Sequence, residues 1–218
     1  MNQLTLVQQL AVWALPLLFA ITVHEVAHGW VANRLGDPTA RLLGRLTLNP
    51  VKHIDPVGTI VVPGILLMLG GFVFGWAKPV PVDWRNLRDS RRDMMLVAAA
   101  GPLSNLVMAV GWGIILKIGL GLANSWPMLG MPLVYMGGAG ILINLVLMVL
   151  NLLPIPPLDG SRIVSGMLPA ELAVQYNRLE NVGFFILLAL LATGTLGSIL
   201  GPPIYALRGV IITLLGIR

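Results

Sequence analysis

The fold class this sequence predicts is an all-α polytopic membrane bundle, and three observations predict it. Of 218 residues, 56% are hydrophobic and only 11% are charged, against roughly 25% charged in a soluble domain. The mean hydropathy is +0.86. Several apolar runs approach or exceed the ~20 residues a helix needs to cross a bilayer.

In chain order the runs are Leu6–Val31, Val57–Gly75, Met94–Gly121, Leu133–Leu153, Val182–Leu200 and Ile204–Ile217. About five or six membrane segments are therefore expected, within a single integral membrane domain over residues 1–218. The first run reads as a retained helix: the N-terminus lacks the positively charged start of a secretory signal, and the run contains His24, Glu25 and His28. The second carries Pro63, Gly64, Gly70, Gly71 and Gly75, which favour a broken, re-entrant element. Irregular backbone at that depth must be buried in protein or line a wet cavity. Gly70–Asp83 mixes aromatic and β-branched residues with late prolines, which reads as a small extended β element. Pro154, Pro156 and Pro157 should end the helix over Leu133–Leu153. Gly201–Pro203 is expected to be the joint between the last two runs.

The formal net charge of +5 does not point to nucleic acid, because the basic residues form no single stripe. They cluster in short loops beside apolar runs, as the positive-inside rule describes. Loop Ala32–Pro56 carries Arg34, Arg41, Arg45 and Lys52, loop Ala77–Asp93 carries Lys78, Arg85, Arg88, Arg91 and Arg92, and Leu122–Pro132 carries none. A full crossing by Val57–Gly75 would put the two basic loops on opposite faces. A re-entrant segment puts both in the cytoplasm, with Arg162, Arg178 and Arg218. The expected topology is N-terminus outside, one re-entrant element, five crossings and C-terminus inside, in a bacterial cytoplasmic membrane.

The chain has no cysteine, so a metal must be held by histidine and carboxylate. His24-Glu25-Val26-Ala27-His28 places two imidazoles four residues apart, on one helix face, where both can grip one Zn²⁺. Glu25 is then placed to act as general base on water at that centre. An ionisable residue near the bilayer centre costs roughly 2.5–3.5 kcal/mol on insertion scales. A metal site explains that expense better than a wetted helix end does.

A catalytic zinc keeps three protein ligands and one open position. Asp83, Asp89 and Asp93 are interleaved with arginines, Glu171 and Glu180 sit in a polar stretch, and Asp37 lies in a Gly-Asp-Pro turn. Asp55 and Asp159 remain as the candidate third ligand. Asp159 follows the three prolines, where unwound chain can turn a short carboxylate inward; an ordinary Asp-Gly turn reads equally well there.

At these residues the chain resembles the site-2 proteases, the intramembrane zinc metalloproteases. The resemblance rests on HEVAH in an apolar helix, on Ala100-Gly101-Pro102-Leu103-Ser104-Asn105 opening a second helix, and on NLLPIPPLDG, residues 151–160, closing a third. It implies zinc held by His24, His28 and Asp159, with Glu25 catalytic and Asn151 near the reacting carbonyl, where its amide would stabilise the oxyanion. It also implies that the stretch around Gly71–Val80 holds an extended substrate, a transmembrane segment of another protein hydrolysed in or near the bilayer. The run Thr47–Thr59 adds His53 and Asp55, which look like a motif of one bacterial branch. Two residues apart, they suit an accessory ligand pair or relay, or a capped turn. The chain looks like a minimal member without appended soluble domains, and its oligomeric state is not legible. A non-catalytic metal-binding scaffold or transporter is the rival reading, disfavoured because metal binding alone does not need Glu25.

Overall fold

The structure is a computed structural model describing residues 5–61, 65 and 77–217. Helix α1 spans Leu6–Leu35. Thr5 opens it with a capping box: Gln8 N–H donates to Thr5 Oγ1 at 3.3 Å, and Thr5 N–H donates to Gln8 Oε1 at 2.9 Å. Gly36, at φ +120°, ends it in a conformation that favours glycine. A short α2, Thr39–Leu42, and a 3₁₀ turn, Pro50–His53, follow. Asp55 caps the π-helical turn Pro56–Val61 by accepting from Val57 N–H at 3.0 Å and Gly58 N–H at 2.7 Å.

Helix α3 spans Ser90–Ala123 and α4 spans Pro127–Asn151. Pro127 stands in the first turn of α4, where a missing N–H costs nothing. Helices α5 (Asp159–Met167), α6 (Ala170–Asn177), α7 (Glu180–Ala192) and α8 (Thr195–Leu214) complete the order. Among the described residues, four helices are long and apolar enough to cross a membrane: α1, α3, α4 and α8. The protein is therefore a multi-pass membrane protein.

Helices α1 and α3 run antiparallel. His28 Nδ1 meets Val97 O, while His24 and the Ala20 carbonyl, farther back along α1, meet Asn105, farther along α3. Helix α4 returns against α3, and the two backbones approach closely: a Cβ on Gly137 would lie 2.6 Å from Leu116 N, and one on Gly130 2.5 Å from Ala123 N. Small residues permit this approach, the usual basis of helix association in lipid. An apolar core of Ala109, Ile141, Leu145, Leu196, Leu200, Ile204 and Ile211 joins α3, α4 and α8.

Connection 36–89 leaves and returns at one end of the bundle, since Arg88 N–H donates to Leu35 O at 3.2 Å. The end of α1 and the residues leading into α3 therefore lie at the same end of the bundle. Most of the expected re-entrant element, residues 62–64 and 66–75, lies outside the described residues. Asp37, read from sequence as an ordinary turn residue, is a fully buried staple of this end. Its carboxylate accepts from Thr39 N–H, Thr39 Oγ1, Asn86 Nδ2 and Asp83 N–H at 2.5–3.1 Å.

Three sequence expectations change. No strand occurs among the described residues: the expected β element over 70–83 lies outside them up to 76, and 77–83 is chain without strand pairing. The last two apolar runs divide at Gly194, not at Gly201–Pro203. Thr193 Oγ1–H turns back onto Ala189 O, and Gly194 takes φ +73°, while α8 runs through Pro202 and Pro203. The 13 residues of α7 span only about 20 Å, short of the ~30 Å hydrocarbon core. One crossing fewer moves the C-terminus. Leu215 packs against Gly113, and its carbonyl accepts from Lys117 Nζ at 2.7 Å. Helix α8 thus ends where α3 ends, opposite the basic loops.

Candidate metal centre

His24 and His28 lie on the face of α1 that meets Gly101 of α3. A Cβ on Gly101 would sit 2.6 Å from His24 Cε1 and Nε2 and would overlap His28 Nε2. The absence of a side chain there is what lets the two imidazoles lie against α3. Asp159 arrives from the other side, as the first residue of α5. Its neighbour Gly160 packs against the end of α4: a Cβ there would be 2.6 Å from Leu153 O and would overlap the Leu152 carbonyl. A larger residue at 160 would push Asp159 off the cluster.

Three ligand atoms converge. His24 Nε2 and His28 Nε2 are 3.0 Å apart, and Asp159 Oδ2 is 3.2 Å from the first and 3.3 Å from the second. Ligands bound tetrahedrally at ~2.0–2.1 Å around zinc stand roughly 3.3 Å from one another. The outer nitrogens are already committed. His28 Nδ1–H donates to Val97 O at 2.7 Å, and His24 Nδ1–H donates to Asn105 Oδ1 at 2.5 Å. In its neutral, ligating form each ring then turns a lone pair at Nε2 toward the other ring and toward a carboxylate oxygen that is buried without a hydrogen-bond donor. Three acceptors pointed at one spot repel unless a cation stands between them.

Among the described residues, His24, His28 and Asp159 form the group able to hold a metal ion. His53 and Asp55 are not part of it. His53 is buried, donating Nε2–H to Thr47 O at 2.9 Å, and its carbonyl accepts from Lys78 N–H. Glu25 is fastened to the extended segment: its Oε2 accepts from Val80 N–H at 2.7 Å. Arg45 Nη2 holds the same segment at Lys78 O, 3.0 Å, and Pro79 O, 3.3 Å. Asn151, in the last turn of α4, turns its Nδ2 back to Leu147 O at 2.9 Å.

Sequence reasoning gave no role to the buried pair Asn105 and Asn144. Asn105 Nδ2 donates to Asn144 Oδ1 at 3.0 Å and to Ala20 O at 3.3 Å, and Asn144 Nδ2 donates to Gly140 O at 2.8 Å. The available signal was an asparagine inside each of two apolar runs, where polar groups are costly.

The family model described as peptidase family M50 matches residues 128–194, which include Asn151 and Asp159 but not the histidine pair. The chain is 39% identical over 206 residues to a protein of Bacillus subtilis (strain 168) named "Putative zinc metalloprotease YwhC", covering 91% of this chain and 88% of that one. It is 34% identical over 182 residues to "Putative zinc metalloprotease Rip2" of Mycolicibacterium smegmatis, covering 82% of this chain and 66% of the relative. A Rip2 of Mycobacterium tuberculosis (strain H37Rv) is 32% identical over 147 residues, 66% of this chain and 52% of the relative. No solved structure matches the chain significantly.

Proposed function

We infer the function from one premise: this chain belongs to the M50, or site-2 protease, family of peptidases. It is an intramembrane zinc metalloprotease, and the observation that carries this reading is the converging triad of His24 Nε2, His28 Nε2 and Asp159 Oδ2. When bound there, zinc supplies a Lewis acid that polarises a carbonyl and acidifies water.

The chain's own residues supply the rest. His24, His28 and Asp159 hold the ion. Glu25, next to His24 on α1, takes the proton from the attacking water and passes it to the leaving amine, work that general-base catalysis makes worth ~10²–10⁴-fold. Asn151 rotates from Leu147 O to orient the scissile carbonyl and stabilise its developing charge. His53 and Asp55 act outside the ligand set, as anchors of the loop that carries segment 77–82. That segment offers extended backbone on which an unwound transmembrane substrate is held by main-chain hydrogen bonds. A substrate carbonyl that takes the Val80 N–H releases Glu25 for its task. Residues 1–218 act as one protease domain in the bacterial cytoplasmic membrane, with the basic loops inside.

The test is cleavage of a model transmembrane peptide by purified protein, with zinc measured on the same samples. Glu25→Gln should keep zinc and lose turnover by at least roughly 10²-fold. Near-wild-type turnover in that variant sinks the assignment of the base. A scaffold or transporter would bind zinc and cleave nothing in either form.

A further inference from the structure

Behind His24, on the side away from the cluster, Asn105 and Asn144 are buried with no exposed surface. A carboxamide so placed costs roughly 1–3 kcal/mol unless it is hydrogen-bonded. These two are bonded in one direction only. The Gly140 carbonyl can only accept, so it takes Asn144 Nδ2–H and turns Asn144 Oδ1 toward α3. Asn105 answers with its Nδ2–H, which also reaches the Ala20 carbonyl, and this leaves Asn105 Oδ1 facing His24 Nδ1 at 2.5 Å. His28 needs no such chain, because its Nδ1 meets the Val97 carbonyl directly.

We propose that Asn144 is a positioning residue which, through the carboxamide of Asn105, holds His24 as the Nδ1–H tautomer and so presents the bare Nε2 to the metal before the metal arrives. The proposal rests on the zinc reading of the site. Without the acceptor at Asn144, Asn105 keeps only its 3.3 Å bond to Ala20 O and can turn over. Its Nδ2–H would then face His24 Nδ1, and the imidazole proton would move to Nε2, into the position the ion must occupy. Groups that orient a ligating histidine in this way typically carry 10–100-fold in metal affinity.

The experiment uses the full chain in detergent, with chelator-competition zinc titration. Nitrogen NMR of histidine-labelled, metal-free protein reads the tautomers, and thermal unfolding monitors the fold. Asn144→Leu, close to isosteric but with no acceptor, should lower zinc affinity roughly 10–100-fold and give His24 a mixture of tautomers. Asn144→Asp keeps an acceptor for Asn105 but sets its second oxygen against the Gly140 carbonyl, so it should keep a single Nδ1–H form of His24 while lowering the unfolding temperature. Adding Asn105→Asp to Asn144→Leu should restore affinity, because a carboxylate offers an oxygen to His24 in either orientation. A merely structural pair would show no such rescue, and its losses would track the unfolding temperature. Asn144→Ala makes the same test if the leucine variant does not fold.

Wild-type affinity together with a single Nδ1–H tautomer in the variant lacking the acceptor would overturn the proposal. If wild type binds no zinc, the metal reading fails by itself, and the tautomers of the metal-free protein still decide the role of Asn144.

Discussion

Gly101→Ala should separate the stability of the bundle from the stability of the metal centre. In an α-helix alanine is favoured over glycine by roughly 0.5–1 kcal/mol, so the metal-free fold should gain or hold its ground. The added Cβ, however, would lie 2.6 Å from His24 Nε2, about 0.8 Å inside the 3.4 Å of ordinary contact, and would overlap His28 Nε2 as well. Both imidazoles must retreat from the cluster, or α3 must move away from α1. Overpacking of this kind costs roughly 1–3 kcal/mol, and taken wholly from metal binding that is a loss of about 5–150-fold in zinc affinity. The assay is chelator competition for zinc beside thermal unfolding of the metal-free protein. Zinc-dependent stabilisation should shrink while the metal-free midpoint stays level or rises. Undiminished zinc affinity in the alanine variant would refute the placement of both imidazoles against Gly101.

Asp159→Ala should lose zinc and activity together, whereas Asp55→Ala should keep most of its zinc and loosen the turn at Pro56–Val61, whose N–H groups it caps; metal analysis showing the reverse order would exchange the two roles. Asp37 carries a pH dependence: burial raises its pKa, but the hydrogen bonds from Thr39, Asn86 and Asp83 outweigh that and leave it lowered. A carboxylate whose folded pKa is depressed stabilises above its unfolded pKa, about 3.9, and that contribution is lost as pH falls through the folded value. Unfolding midpoints should therefore drop below about pH 4 in wild type, and less so in Asp37→Asn. Single cysteines at Thr39 and Ser90 should resist an impermeant thiol reagent in intact cells. Cysteines at Asn124 and Ile217 should label, and protection at Ile217 would contradict the packing of Leu215 beside Lys117.

What was legible in the sequence is what short-range rules determine. HEVAH marks a metal grip because residues four apart share a helix face. Three prolines after Leu153 stop a helix, and they left Asp159 beside Asp55 as a candidate ligand that the family resemblance, not the residues alone, singled out. The arginines of the two basic loops favoured a chain that leaves and returns on one face, and Arg88 N–H bonded to Leu35 O places the two flanking helix ends together. Mean hydropathy over a window could not choose between Gly194 and Gly201–Pro203 as the break before α8. That choice rests on a threonine back-bond and on one left-handed glycine, both invisible to a window average. Asn105 stood inside a recognised motif, yet nothing local said that its amide faces His24, and Asn144 lies 39 residues farther along. Their partnership exists only because α1, α3 and α4 pack at glycine contacts and bring three separate polar groups to one depth. Sequence supplied the candidate ligand residues; tertiary packing decided their mutual distances and which partner faces each nitrogen of His24, because both depend on neighbours from other helices that no residue letter records.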